Sequence, residues 1–273
     1  MADKISLAGD LGSGKSTVAD ILIKRLGAEY YSTGAIVRSI AARRNMTVVE
    51  LNLYMETDPT IDNEIDNGLV ELARKNANMV IDSRMAWHFT KGTFKVYLST
   101  DPETSALRIM RANRAGEHSE SLEATIAETK ARRESEKKRY KDQYGVDIKD
   151  LTNYTLVVDT TVATPEQVAD RIITSLEEWK KDRSYSALYI SGERLNFPDD
   201  EPDSELIADY ASKIEEDEPV PEVTVFEEDG EFFVESGVES ALALSFSEAP
   251  FLRARLVKGS PEGKKYVKMK NSL

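Results

Sequence analysis

Residues 4–16 read Lys4-Ile5-Ser6-Leu7-Ala8-Gly9-Asp10-Leu11-Gly12-Ser13-Gly14-Lys15-Ser16, and the rest of the chain is best understood from them. The first five are an apolar run of buried-strand length, and the last eight match G-x-x-x-x-G-K-[ST]. A helical pattern follows to Leu26. Glycines in such a turn let the backbone curl until several N–H groups face one anion, at the positive end of a helix. Lys15 would then reach β- and γ-phosphates, and Ser16 would offer its hydroxyl to Mg²⁺. The pattern therefore predicts a nucleoside triphosphate and Mg²⁺ as ligands, held by Gly9, Gly12, Ser13, Gly14, Lys15, Ser16 and Thr17.

Beyond the loop, short apolar runs at 30–31, 79–81, 94–98 and 156–158 read as further strands. Helical patterns cover 33–44, 48–55, 61–75, 101–114 and 164–179, and Ser119 is expected to cap a charged helix running to about Gln143. Strands alternating with helices predict an α/β fold: a P-loop domain with a parallel five-stranded sheet flanked by helices.

The chain has 273 residues, a net charge of −13, 40% hydrophobic residues and no cysteine. The missing cysteine excludes disulfides and thiolate chemistry, and His88 and His118 are too few for a histidine-based zinc site or triad. No apolar run is long enough to span a membrane. The start, Met1-Ala2-Asp3-Lys4-Ile5, lacks the apolar region of a secretory signal, so a cytoplasmic location is expected. The charge is uneven. Residues 1–183 hold 27 basic and 29 acidic side chains, residues 184–273 hold 9 and 20. A domain boundary is expected between 183 and 184, followed by a small acidic α+β domain and a basic tail over 258–273. A chain this acidic is a poor candidate for nucleic-acid binding.

A phosphate loop is compatible with a switch, a motor or a kinase. The strand ending in Asp before a water-activating Glu or Gln, which a switch needs, is not evident. Instead Arg108, Arg111, Arg114, Arg132, Arg133 and Arg139 crowd the region around Gly116. Arginine clamps phosphoryl oxygens while charge migrates between donor and acceptor. The pattern predicts a kinase with an arginine-rich flap.

Four segments carry a family resemblance: GDLGSGKSTVA (9–19), YYSTGAIVRSIA (30–41), VIDSRMAWHF (80–89) and RRESEKKRYKDQYGVD (132–147). Together, over residues 4–176, they resemble the cytidylate kinase-like branch of nucleoside monophosphate kinases, especially its archaeal-type members. The resemblance implies that Ser32, Gly34 and Arg38 hold the acceptor monophosphate. It places Arg84 on the acceptor phosphate and Asp82 near Mg²⁺ or the base. Arg111 and Arg114 correspond to flap arginines, and Arg133 and Arg139 to arginines gripping the transferring phosphate or the cytosine. Thr160, within Asp159-Thr160-Thr161, would border the donor adenine. Lys15, Arg84, Arg111, Arg114, Arg133 and Arg139 are thus the candidate catalytic residues, with Ser16 and Asp82 as metal donors. Ser83 stands where well-studied members have glycine, and Val37 where bacterial members carry an aromatic residue. The implied acceptor is CMP or dCMP; a kinase for another small acceptor and a nucleotide-sensing regulator are the alternatives.

Trp87-His88-Phe89 reads as core rather than as an acceptor wall, and His118 as solvent-facing. Asp58, Asp62, Glu64 and Asp66 read as helix-start charges rather than metal ligands. Tyr140 and Tyr144 read as anchors of the long helix. Residues 206–257 resemble, more weakly, the ParB-like N-terminal fold, with Asp229-Gly230 as a hairpin turn. The basic residues of that fold are absent, because Gly237 precedes Val238-Glu239-Ser240. This implies a non-catalytic module for oligomerisation, regulation or partner binding.

Overall fold

A continuous apolar run suits a strand covered on both faces, and β1 (Lys4–Gly9) is such a strand, with Ile5, Leu7 and Ala8 buried. The computed structural model describes residues 3–112, 121–216, 218–246, 250–261 and 263–268. After β1 come α1 (Lys15–Leu26), β2 (Glu29–Ser32), α2 (Thr33–Arg43), α3 (Val48–Met55) and α4 (Thr60–Arg74). Then follow β3 (Met79–Asp82), α5 (Ala86–Phe89), β4 (Phe94–Ser99), α6 (Pro102–Ala112) and α7 (Leu122–Tyr144). β5 (Leu156–Asp159) and α8 (Pro165–Lys181) complete this stretch.

The chain forms two compact units. The first, Met1–Leu156 with Thr164–Tyr185, carries the parallel order β4-β1-β3-β2. It holds four whole strands rather than the expected five. Only Leu156 of β5 belongs to it, because Val157–Ala163 groups with the second unit. Within that second unit Arg194 lies 3.0 Å from the Asp159 carboxylate that ends β5, a buried ion pair.

Local chemistry explains the helix starts. Thr47 with Glu50, and Thr164 with Gln167, form reciprocal capping boxes, and Pro165 occupies the first turn of α8. α7 is capped by Ser121, which accepts from the Ala124 N–H, not by Ser119. Ser119, Gly116 and His118 lie outside the described residues.

Asp58 accepts from the Thr60 N–H at the start of α4 (3.0 Å) and Asp62 stands in its first turn, as expected, but Asp62 and Asp66 do more than complement the helix start. Both are buried and turn toward α7, where Asp62 pairs with Arg139 and Asp66 accepts from the Tyr144 hydroxyl. Tyr140 packs with Leu69, Leu72, Met79, Ile81 and Met85, anchoring α7 over β3. Trp87 is buried beside Tyr154, at 5.6 Å between ring centroids, while His88 is exposed.

The second unit, Val157–Ala163 with Ser186–Leu273, adds β6 (Ala187–Ile190), β7 (Leu195–Pro198), α9 (Ser204–Glu215), β8 (Val223–Glu228) and β9 (Glu231–Ser236). α10 (Val238–Ser245), β10 (Leu252–Leu256) and β11 (Tyr266–Lys268) follow. β8 and β9 form a hairpin through Asp229 and Gly230, both at positive φ, as the tight primed turn requires. α9 packs on α10. Part of the expected tail is β11, antiparallel to β7. Tyr266 holds it there, with its ring 5.1 Å from Phe233 and 6.1 Å from Phe226. A three-residue strand is too short to show periodicity in the sequence.

Candidate functional site

The loop joining β1 to α1 is shaped by close backbone approach. A Cβ on Gly9 would stand 2.4 Å from the Leu98 carbonyl oxygen of β4. The Asp10 N–H donates to that same oxygen at 2.9 Å, so the strand end and the loop are tied together. Gly14 caps α1 at φ 78°, a conformation natural to glycine. The Ser13 hydroxyl donates to the Asp10 carbonyl at 2.8 Å.

Lys15 folds back over this loop, its Nζ donating to the carbonyls of Gly9 (3.0 Å) and Asp10 (2.6 Å). Burial, helped by the charge of Arg84, pushes its pKa down to about 7; Asp82, Asp10 and Glu136 pull the other way. Those carboxylates only partly offset the cost of burying the ammonium.

Beside the loop lies a cavity of about 130 Å³. Gly12, Gly14, Lys15, Ser16 and Thr17 line one wall, and Ser32, Gly34, Arg38, Asp82, Arg84 and Arg139 line the others. Ser32 sits at the end of β2 and caps α2 by accepting from the Ala35 N–H. Arg38 projects from α2 and forms no ion pair or hydrogen bond among the described residues. Asp82 ends β3 and accepts from the Tyr30 hydroxyl at 3.1 Å. Ser16 and Asp82 thus offer a hydroxyl and a carboxylate to one cavity. That donor set fits Mg²⁺, which keeps waters and phosphate oxygens as its other ligands. Among the described residues there is no group of three or more acidic or histidine side chains that would hold a metal alone.

The arginines divide by partner. Arg84 Nε donates to Glu136 at 2.8 Å, and Arg132 Nε approaches the other oxygen at 3.3 Å. Burial pushes the Glu136 carboxyl up, but Arg84 and Arg132 outweigh it and hold it at about 2. Arg139 is buried, 3.0 Å from Asp62, and donates to the Asn52 side chain at 3.1 Å. Arg133 does not line the cavity beside the phosphate loop. It lies behind the phosphate loop, 3.2 Å from Asp10, with Lys149 close by. Arg111 is on the exposed end of α6 and away from the cavity lining, and Arg114 lies outside the described residues. Thr160 is buried in the segment that groups with the second unit.

Sequence reasoning missed Glu136, Asn52, Asp10 and Lys149 as parts of the site. Glu136 is hidden in a helix rich in Glu, Lys and Arg, and Asp10 occupies a variable position of the loop motif. One signal for Asp10 was its charge, unusual in a loop that must receive phosphates.

A loop of this form at the carboxyl end of β1, facing arginines from α2 and the end of β3, defines a P-loop kinase of the α/β class. The model of the cytidylate kinase-like family matches residues 4–162, and the chain belongs to that family. It is 34% identical over 194 residues to a cytidylate kinase of Halobacterium salinarum, covering 71% of this chain and 99% of that one. To a cytidylate kinase of Archaeoglobus fulgidus it is 37% identical over 175 residues, 64% of this chain and 94% of that one. An S-adenosylmethionine-dependent nucleotide dehydratase of Lacinutrix mariniflava is 35% identical over 192 residues, 69% of this chain but 38% of that protein. The protein is a nucleoside monophosphate kinase, a class that uses ATP. Among the described residues no helix is long and apolar enough to cross a membrane.

Proposed function

We propose that the protein transfers the γ-phosphoryl group of ATP, with Mg²⁺, to CMP or dCMP, giving CDP or dCDP. The observation that carries this is one cavity in which Lys15 and the start of α1 face Arg38, unpaired among the described residues, and the Glu136-braced Arg84. Two anions can be brought together there, one on the loop and one on the arginines. In-line transfer needs positioning and charge neutralisation rather than a covalent nucleophile. Ser32, Gly34 and Arg38 would seat the acceptor phosphate. Arg84 would bridge toward the transferring group, and Ser16 and Asp82 would hold the metal, which neutralises phosphate charge when bound. The names of the relatives favour cytosine as the acceptor base.

The test is incubation with ATP, Mg²⁺ and a panel of ribo- and deoxyribonucleoside monophosphates. Diphosphate product with CMP or dCMP is expected; turnover confined to other bases would refute the assignment. Arg38→Ala should raise KM for the monophosphate by roughly 10–100-fold, the loss of one charge-assisted phosphate contact, with kcat much less affected. An unchanged KM would remove Arg38 from the acceptor pocket.

Lys15 makes ATP binding pH-dependent. A phosphate beside the ammonium raises its pKa, so above about pH 7 binding must take up a proton. Affinity should fall as pH rises from 7 to 9, by up to about tenfold per unit. Calorimetry in buffers of different ionisation enthalpy should report this proton uptake; buffer-independent heats would contradict it.

The acidic second unit we read as a non-catalytic module for regulation or for contact with a partner or second copy. In its α10, Glu239 occupies the first turn, where a bound anion would otherwise sit.

A further inference from the structure

Behind the phosphate loop a buried carboxylate is held by two cations. Asp10 accepts at Oδ1 from the Tyr97 hydroxyl (2.8 Å) and Lys149 Nζ (2.5 Å), and at Oδ2 from the Thr100 N–H (3.1 Å). Arg133 Nη2 stands 3.2 Å from the same Oδ1. Yet the buried Nε and Nη2 of Arg133 form no hydrogen bond among the described residues. The guanidinium is therefore attracted to Asp10 by charge but not seated on it, whereas Lys149 is seated. Lys149 Nζ also lies over the Tyr97 ring, 5.6 Å from its centroid. Three groups would keep Asp10 satisfied if Arg133 left: Lys149, Tyr97 and the Thr100 amide.

We propose that Asp10 retains Arg133 beside the phosphate loop in the nucleotide-free enzyme, and that Lys149 is the counter-ion that lets Arg133 exchange Asp10 for phosphoryl oxygens. This rests on the kinase reading above and assigns Lys149 and Asp10 as positioning residues. The physical requirement is plain. A buried carboxylate cannot be left without a cation, so if Lys149 were neutral Arg133 would be bound to stay. With Lys149 present, Arg133 can leave while Asp10 remains paired, and its unsatisfied N–H groups gain acceptors on the nucleotide.

A double-mutant cycle on the full chain tests this through binding of ATP with Mg²⁺, measured by calorimetry without any acceptor. Lys149→Met should weaken binding about tenfold when Arg133 is present. In an Arg133→Ala background that also carries Asp10→Asn, so that no buried carboxylate is left without a cation, the same substitution should change affinity less than about twofold. Equal losses in the two backgrounds would mean that Lys149 acts as a simple nearby charge, and would overturn the proposal. Adding Asp10→Asn to Lys149→Met should restore affinity, because the retaining charge is gone; no recovery would also overturn it. Should Lys149→Met fail to fold by thermal melting, Lys149→Gln runs the same cycle. Because no acceptor is present, absence of CMP turnover would refute the acceptor assignment without touching this result.

Discussion

Lys15→Ala should reduce phosphoryl transfer by about 10²–10³ while leaving the fold intact. The side chain contributes one ammonium to the wall of the cavity that the loop, Asp82 and Arg84 share. Its Nζ is held by two backbone carbonyls, neutral acceptors that phosphoryl oxygens can replace. As charge spreads over those oxygens in the transition state, a fixed cation in a partly desolvated cavity is worth more than in water. The stability consequence has the opposite sign. Burial depresses the Lys15 pKa to about 7, so the folded state is a worse host for this charge than the unfolded chain. At pH 7 to 10 the unfolded chain binds the proton more readily, and removing the group relieves that conflict. The melting temperature of Lys15→Ala should therefore be unchanged or higher. Turnover within a few-fold of the parent protein would sink the assignment of Lys15 to the transferring phosphate.

Arg139→Ala should be the most destabilising of the arginine substitutions, by about 3–5 kcal/mol. Arg139 and Asp62 are both almost fully enclosed, with side chains 5% and 4% exposed. Burial raises the Asp62 pKa, and Arg139 is the nearby charge that opposes the rise, while Glu136 reinforces it. Without Arg139 the carboxylate is stranded beside Glu136 and close to Asp66, itself pushed up to about 6 by burial. The Asn52 side chain and carbonyl also lose their donor. The sign of the pH dependence follows. An acid whose folded pKa is raised above its unfolded value destabilises the fold above that pKa, and the cost is relieved as it protonates. Denaturation of Arg139→Ala should therefore show a larger deficit at pH 8 than at pH 5. Replacing both partners, Arg139→Met with Asp62→Asn, should recover most of the stability, since neither group is then buried alone. A single variant as stable as its parent at pH 8 would show the ion pair to be worth nothing.

Much of the fold was legible because its signals are local. The four apolar runs at 4–8, 79–81, 94–98 and 156–158 appear as β1, β3, β4 and β5, since strands with buried faces need unbroken apolar residues. Tyr30-Tyr31 gave β2 with less burial, as befits the outer strand. β6, Ala187-Leu188-Tyr189-Ile190, carries an apolar run like that of β5 and was missed, while Leu195-Asn196-Phe197-Pro198 of β7 and Tyr266-Val267-Lys268 of β11 are too short or too mixed for periodicity to separate from loop. The acidic residues of α4 show the limit most clearly. Asp62 and Asp66 look like solvated helix-start charges until α7 is laid over them.

By itself the sequence determined the phosphate loop and its place between a strand and a helix, because Gly9 to Ser16 and both flanking elements are contiguous. Backbone geometry over a dozen neighbouring residues is set by those residues. Which carboxylate each arginine meets was decided only by the tertiary structure. Arg84, Arg133 and Arg139 share one chemistry, yet one braces Glu136, one waits at Asp10, and one is locked to Asp62. What separates them is the carboxylate that folding brings within about 3 Å and how much water is excluded around the pair. Coulomb energy and desolvation depend on that distance and enclosure, and spacing along a helix carries neither.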